Sequence, residues 1–330
     1  MRDMKHLLNG KNSLSLQLTD WLESVPSRVT AIKPEIEVSC PNPTTRAIIS
    51  PHAGYAYCGK TAAFAYKSVD TSKIKRVFLL GPSHHEYFEE CSLSSCDEWE
   101  TPVGNLIVDK EIVSELRLSG DFVELRKEVE EDEHSLEMQA PFLAQIFRDK
   151  LNSVKIVPIM VGNLTSLKEY SYGRILSKYL DNPENLFVIS SDFCHWGSRF
   201  DYTAYSIDST PSQKMGYLQV KSGYSRGQKG SITKVEPQVP IYQSITNLDY
   251  EAFDAICNLS HQQFDTYLKC THNTICGRHP ISILLSAIEN SKDSKEPEGN
   301  GVLAFIDYSK SENIIDPRES SVSYAAGVFF

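Results

Sequence analysis

The amino-acid sequence predicts an α/β protein with a mostly parallel or mixed central sheet flanked by helices. Three observations carry this prediction. Short, continuous apolar runs end in turn residues, amphipathic segments lie between those runs, and 41% of the 330 residues are hydrophobic, as is usual for a globular chain. Continuous apolar runs are typical of strands buried on both faces, and their alternation with helices favours a parallel sheet.

Six apolar runs are predicted to be strands: Arg46–Ser50, Arg76–Leu80, Val154–Val161, Leu186–Ile189, Val302–Tyr308 and Val322–Phe330. Helical periodicity over Ser135–Asp149 and Leu167–Leu180 places apolar side chains along one side of each segment. A third helix is predicted around Pro280, because proline favours the first helical turn and apolar residues then recur at helical spacing. No repeat or shift in composition indicates a boundary, so a single domain over residues 1–330 is expected.

Two segments depart from this pattern. Residues 1–40 are interpreted as a variable N-terminal segment. Residues 206–240 are rich in Ser, Gly, Lys and Gln, and neither the helical nor the strand period persists there. Such a composition favours a long, mobile surface insertion.

Charge and composition exclude several classes of protein. A net charge of −10 argues against a nucleic-acid-binding protein, because binding to the phosphate backbone requires a basic surface. No apolar run is long enough to span a bilayer, and Met1–His6 leads into polar residues rather than a signal core. We therefore expect no membrane insertion and a cytoplasmic location, with the nucleus as a second compartment. The 8 cysteines form no CxxC pair, which excludes a zinc ribbon or a thioredoxin motif.

Chemistry-bearing side chains follow three of the predicted strands. His52, His84 and the pair Asp192/His195 each lie just past the C-terminal end of a buried strand. In open α/β sheets the loops leaving those ends converge on one crevice, which is where ligands bind. A lone histidine is usually a structural residue, but three independent strand ends favour a shared site.

Cys276 lies just before the predicted helix at Pro280, beside Arg278 and His279. A helix N-terminus and cationic neighbours stabilise a thiolate, which is the form that ligates metal or attacks electrophiles. The alternative is a buried cysteine in a tight glycine turn. A phosphatase-like nucleophile is disfavoured because Arg278 is too close for an anion-cradling loop.

His134 and Glu137 are further candidates for lining the site, as acid–base groups or as partners that orient ligands. They fall at the start of the predicted helix Ser135–Asp149 and would face similar directions there. The alternative is that residues 130–133 form a solvated acidic helix end. Asp192, Glu137 and Gln139 are candidates for fixing the tautomers of ligand histidines.

Six motifs in order resemble the Memo family, named for mediators of cell motility: SPHAGYAYCG, LLGPSHHEYF, EDEHSLEMQAPF, VISSDFCHWG, HNTICGRHPI and SSVSYAAG. The resemblance covers the chain from about Arg46 to Phe330. It implies a fold similar to the LigB-type, class III extradiol dioxygenases, whose relatives hold non-haem iron. It also implies that His52, His84 and Cys276 bind metal, and that Asp192 and His195 line the same pocket. The histidine of an HAGxWY-type segment near the family's N-terminus has no counterpart here.

Two imidazoles and one thiolate form a nitrogen–sulfur ligand set, which favours copper, especially Cu(I), or zinc. If Cys276 is the third ligand, the set favours copper binding coupled to redox chemistry, either sequestration or oxidase-like turnover, over ring-cleaving dioxygenase activity. If Asp192 or Glu137 ligates instead, iron is the expected metal, because two histidines and a carboxylate suit Fe(II).

Three functions from different classes follow. The favoured one is a metal-binding redox protein that uses His52, His84 and Cys276. The second is a signalling module, for which the resemblance implies roles in motility and growth signalling with signalling-protein or phosphopeptide partners. The third is a metal-dependent oxygenase or hydrolase with a small organic substrate.

Overall fold

The structure is a computed structural model that describes residues 11–206, 211–213, 215–218, 238–292 and 301–330. The strands within these residues are β1 (Arg28–Thr30), β2 (Glu37–Ser39), β3 (Ala47–Ser50), β4 (Arg76–Pro82), β5 (Cys91–Leu93), β6 (Glu98–Trp99), β7 (Leu106–Val108), β8 (Phe122–Glu124), β9 (Lys155–Val161), β10 (Asn185–Ser190), β11 (His195–Trp196), β12 (Ala204–Tyr205), β13 (Gly216–Tyr217), β14 (Leu303–Lys310) and β15 (Ser321–Phe329). The helices are α1 (Lys11–Ser24), α2 (Tyr55–Lys67), α3 (Lys110–Leu118), α4 (Lys127–Asp132), α5 (His134–Glu137), α6 (Ala140–Ile146), α7 (Ser166–Leu180), α8 (Ile241–Cys257), α9 (His261–Thr271) and α10 (Arg278–Glu289).

A mixed sheet forms the centre of the molecule, which confirms the predicted fold class. Its middle strands run in the order β3, β10, β4, β9, and all three pairs are parallel. Antiparallel strands extend the sheet on both sides, since β15 pairs with β3 and β5 pairs with β9. Every residue of β3 and β10 is buried, so both faces of the sheet centre are covered. Helices α1, α2 and α6 pack together, and α7 packs along α10.

The six predicted strands all occur, within two residues of their predicted bounds at each end. The predicted helix Leu167–Leu180 is α7, and the helix predicted around Pro280 is α10. The continuous helix predicted over Ser135–Asp149 is wrong, because α5 ends at Glu137 and α6 begins at Ala140. Pro141 explains the break: it has no N–H to donate to the carbonyl four residues earlier, at Glu137.

The N-terminal segment and the insertion pack in different ways. Helix α1 buries Leu14, Leu18 and Leu22 in the main core, so the described part of residues 1–40 belongs to that core. Most of the predicted insertion, residues 207–210, 214 and 219–237, lies outside the described residues. Its described ends join a second, smaller apolar cluster that includes Trp196, Tyr205 and Leu248.

Among the residues that the structure describes, no helix combines the length and the apolar character needed to cross a membrane.

Candidate metal centre

Three parallel strands deliver the first residues of the site to one edge of the sheet. Strand β10 lies between β3 and β4 and is parallel to both, so the carboxyl ends of these strands are adjacent. His52, His84 and Asp192 each follow their strand by two residues. The convergence expected from the sequence is therefore present, as the topology of an open α/β sheet requires.

A fourth chain segment, just before α10, adds a thiol to this edge. Ligand atoms of His52, His84 and Cys276 all lie within 4.8 Å of one another. The Cys276 Sγ atom lies 3.2 Å from His52 Nε2. The ring centroids of His52 and His84 are 5.2 Å apart. The structure thus brings together the three side chains that were expected to bind metal, and their role as ligands stays a prediction.

Hydrogen bonds fix the tautomer of His52. Its Nδ1 lies 2.8 Å from Ser190 Oγ. The Ser190 hydroxyl donates its single proton to the Ser135 carbonyl at 2.6 Å and accepts from Gln139 Nε2 at 2.9 Å. Ser190 Oγ must therefore accept from His52 Nδ1–H, which leaves the Nε2 lone pair facing the Cys276 sulfur. Burial, together with the neighbouring His84, His134 and His195, lowers the pKa of His52 well below its ordinary value, so this imidazole is neutral.

Glu133 orients His84 in the same way. The His84 Nδ1 lies 2.8 Å from Glu133 Oε1, and the His84 backbone N–H donates to Glu133 Oε2. Although burial opposes ionisation, hydrogen bonds and charge attraction from His84 lower the pKa of Glu133 to about 2. An ionised carboxylate can only accept, so His84 carries its proton on Nδ1 and presents Nε2 to the crevice.

The Cys276 loop packs tightly against the end of β10. A Cβ added to Gly277 would lie 2.3 Å from Ser191 Cβ and 2.6 Å from the Ser190 carbonyl, so only glycine permits this approach. The Gly277 N–H donates to Ser191 Oγ at 3.1 Å, and the Asp192 N–H donates to Cys276 Sγ at 3.2 Å. These contacts hold the thiol beside His52.

The prediction that Arg278 and His279 stabilise a Cys276 thiolate is wrong. His279 bonds instead to Glu169 and Asn163, and Arg278 donates to Asn163. Burial and the nearby Asp192 carboxylate raise the pKa of the Cys276 thiol. Their effect is larger than that of the backbone hydrogen bonds to the sulfur, which lower this pKa. Cysteine binds metal as a thiolate, so a metal ion at Cys276 would have to displace this proton.

Asp192 and His195 lie beside the cluster and hold its backbone. Asp192 Oδ1 accepts the His52 N–H at 2.8 Å, and burial raises the pKa of this carboxyl. The Nδ1 atom of His195 faces two carbonyl oxygens, at 2.9 Å from Phe193 and 3.1 Å from Thr274, so it carries the proton. Neither residue belongs to a ligand group in the described ranges.

His134 and Glu137 lie in different surroundings. The His134 ring stacks on His84, with centroids 4.6 Å apart and an angle of 27° between the rings. Glu137 belongs to no described ligand group and instead lines a neighbouring crevice of about 780 Å³ with Trp99 and Glu130. The helix break at Pro141 confines α5 to four residues, His134–Glu137. Roles for either residue in acid–base chemistry stay predictions.

The acidic stretch before His134 is only partly the solvated helix end that was considered. Glu133 is 1% exposed and Glu130 is 9% exposed. Glu130 accepts from Trp99 Nε1 at 2.8 Å and from the hydroxyl of the buried Ser94, and Glu133 accepts the N–H of the buried Ser135 at 2.9 Å. Each of these two carboxylates therefore has a buried donor. Sequence reasoning missed Glu133 as the partner of His84. The one feature of the sequence that could have indicated this role is the position of Glu133 between an acidic run and His134, directly before a short helix.

Two other histidines of the motifs, His279 and His272, lie away from the cluster. His279 and His261 flank the buried carboxylate of Glu169, with His261 Nε2 at 2.8 Å from Glu169 Oε2. His272 ends α9 in the left-handed conformation, with φ of 51° and an exposed side chain. The other functional residue that the sequence did not predict is Ser190, because a serine inside a strand gives no sign that it contacts an imidazole.

The fold and the cluster define a class: an α/β protein with a group of potential nitrogen and sulfur ligands at the carboxyl edge of a mixed sheet. Residues 8–328 match the family described as "Memo-like protein". The chain belongs to the Memo family, and the match begins well before Arg46, where the resemblance was expected to start.

Relatives with known names agree with this assignment. The chain is 42% identical to "Protein MEMO1" of Xenopus laevis over 319 residues, which are 96% of this chain and 91% of the relative. It is 41% identical to "Protein MEMO1" of Homo sapiens over 317 residues, 95% of this chain and 91% of the relative. It is 40% identical to "Protein memo-1 homolog" of Caenorhabditis elegans over 321 residues, 97% of this chain and 79% of the relative.

A solved structure, the crystal structure of uncharacterized protein JW3007 from Escherichia coli K12, aligns with 85% of this chain and 99% of its own. The TM-score is 0.44 at 9% sequence identity, a likeness too weak to carry an argument about function.

Proposed function

We propose that this protein binds a soft, redox-active metal ion through His52, His84 and Cys276, with copper as the first candidate and iron as the second. The observation that carries the proposal is the mutual approach of these three ligand atoms within 4.8 Å. They come from three separate loops, two of them at strand ends, so chain neighbours alone do not account for the cluster.

The chemistry of the donor set fits this metal. Ser190 and Glu133 hold protons on the Nδ1 atoms of His52 and His84, which frees both Nε2 lone pairs for coordination. Two imidazoles and a thiolate suit Cu(I) or zinc. Burial of His52 at 2% exposure keeps this imidazole neutral, the form that binds metal. A bound copper ion would supply one-electron redox chemistry.

Motility and growth signalling, with signalling-protein or phosphopeptide partners, are part of the same proposal through family membership. In this proposal the cluster of His52, His84 and Cys276 is the functional site of the molecule. A module that only binds proteins or peptides does not require hydrogen bonds that fix the tautomers of two histidines. The contacts of Ser190 with His52 and of Glu133 with His84 therefore favour metal binding over the signalling-module alternative.

The test is anaerobic titration of the reduced protein with Cu(I) and with Fe(II), followed by elemental analysis. We expect one copper per chain in the unaltered protein and loss of uptake in His52→Ala and Cys276→Ala. His272→Ala and Cys270→Ala are matched controls, because both side chains are exposed and lie outside the ligand group. Uptake of Fe(II) but not Cu(I) would favour the iron alternative. No uptake of either metal would refute the proposal and favour a metal-free signalling module.

A further inference from the structure

A second group of potential ligands overlaps the first. It consists of His84, Glu133 and His134, whose ligand atoms also lie within 4.8 Å of one another. Glu133 Oε1 lies 2.8 Å from His84 Nδ1 and 3.4 Å from His134 Nδ1. One carboxylate oxygen is therefore shared by the Nδ1 atoms of two imidazoles.

These distances are close to those of a metal site. Zinc bound at ordinary lengths to a nitrogen and an oxygen in tetrahedral geometry separates the two ligand atoms by about 3.3 Å. The observed separations of 2.8 and 3.4 Å lie on either side of that value, so small side-chain rotations would admit an ion. The His134 side chain retains 40% exposure and the His84 side chain 28%, so an ion can reach both imidazoles from solvent.

The two groups differ in chemistry and in depth. The inner group contains a thiol and the imidazole of His52, which is 2% exposed. The outer group has two imidazoles and the carboxylate of Glu133. Nitrogen and oxygen ligands suit divalent ions such as Zn²⁺, whereas the thiol of the inner group favours softer ions.

We infer that His84, Glu133 and His134 form an outer site for a divalent cation, which competes with the inner site for His84. A neutral imidazole has one lone pair. At the inner site His84 coordinates through Nε2 and keeps its Nδ1 proton on Glu133. At the outer site the Nδ1 proton moves to Nε2, so that the Nδ1 lone pair beside Glu133 binds the cation. An ion in the outer site therefore removes one ligand from the inner site. The competition rests on the proposed function, but the outer site does not.

The experiment isolates the outer site by removing the inner one. In the variant His52→Ala/Cys276→Ala, Zn²⁺ binding is measured by competition with a chromophoric chelator. We expect one Zn²⁺ per chain. Adding His134→Ala should weaken that binding by about tenfold or more, because losing a ligand costs at least as much affinity as losing a contact that orients one. Adding His272→Ala instead should leave it unchanged, because His272 lies outside both groups.

Two outcomes overturn the inference: no Zn²⁺ uptake by the folded double variant, or uptake that His134→Ala does not weaken. Circular dichroism checks folding, and His52→Asn/Cys276→Ser replaces the double alanine variant if that variant does not fold. Failure of the proposed function is separate, because it would appear as absent Cu(I) and Fe(II) uptake in the unaltered protein.

Discussion

The hydroxyl of Ser190 is the most informative group to remove, because it fixes the His52 tautomer without being a ligand. Ser190 is fully buried and takes part in three hydrogen bonds, with His52, Gln139 and Ser135. In Ser190→Ala the buried His52 Nδ1–H loses its acceptor, which costs about 1–3 kcal/mol of stability. If His52 instead moves its proton to Nε2, it loses the lone pair that faces Cys276. Copper affinity should then fall about 10–100-fold, as for other groups that orient metal ligands.

Competition with a Cu(I) chelator measures this affinity, and urea denaturation measures the free energy of unfolding. The matched control is Ser244→Ala, since Ser244 is also fully buried and accepts the Ser206 N–H at 2.9 Å, away from the cluster. This control should lose stability and keep its copper affinity. Equal copper affinity in Ser190→Ala and the unaltered protein would show that the hydroxyl does not set the ligand tautomer.

Two further predictions concern the loop and the helices around the cluster. In Gly277→Ala the new methyl would meet Ser191 at 2.3 Å, so the variant should lose about 1–3 kcal/mol of stability and bind copper more weakly, measured by denaturation and chelator competition. Glu169 has a lowered pKa, mainly because hydrogen bonds from two imidazoles outweigh its burial, and its hydrogen bond raises the pKa of His261. The glutamate's stabilisation is complete above its ordinary pKa of 4.5 and disappears as the pH falls through its lowered pKa. The histidine's stabilisation is complete below its ordinary pKa of 6.5 and disappears as the pH rises through its raised pKa. The contribution of the Glu169–His261 pair to the melting temperature should therefore be greatest between pH 4.5 and pH 6.5. Glu169→Gln should remove this contribution. An unchanged pH profile in that variant would contradict the assignment.

The sequence predicted the centre of the sheet because its strands are continuous apolar runs. Each residue of β3 and β10 is buried, and strands buried on both faces can be recognised in the sequence alone by their apolar composition. Short strands such as β5 and β8 were not predicted. They have three residues each and depend on pairing with β9 or with each other, which a local window does not show.

The ligand cluster could be anticipated for a similar reason. Parallel strands end at one edge, so His52 and His84 were placed together by topology alone. The partners behind them could not be found in this way. Glu133 reaches His84 across 49 positions of sequence, and Ser190 reaches His52 across 138. Neither residue has a local pattern that distinguishes it from an exposed acid or a strand serine. The Cys276 environment was misjudged because the partners of His279 lie on α7 and a distant loop.

The choice between copper and iron depends on whether Asp192 is a ligand. Its carboxylate already accepts the backbone N–H groups of His52 and Ala53, and it belongs to no group of potential ligands among the described residues. The substitution Asp192→Asn keeps an amide oxygen that can accept both N–H groups but removes the charge. If Cys276 is the third ligand, this variant should still take up one Cu(I) per chain, as measured by elemental analysis. If two histidines and Asp192 bind Fe(II), the same variant should lose iron, because a neutral amide is a much weaker ligand than a carboxylate. Loss of Cu(I) from a folded Asp192→Asn protein would contradict the nitrogen–sulfur assignment, since no step of that account requires the carboxylate charge.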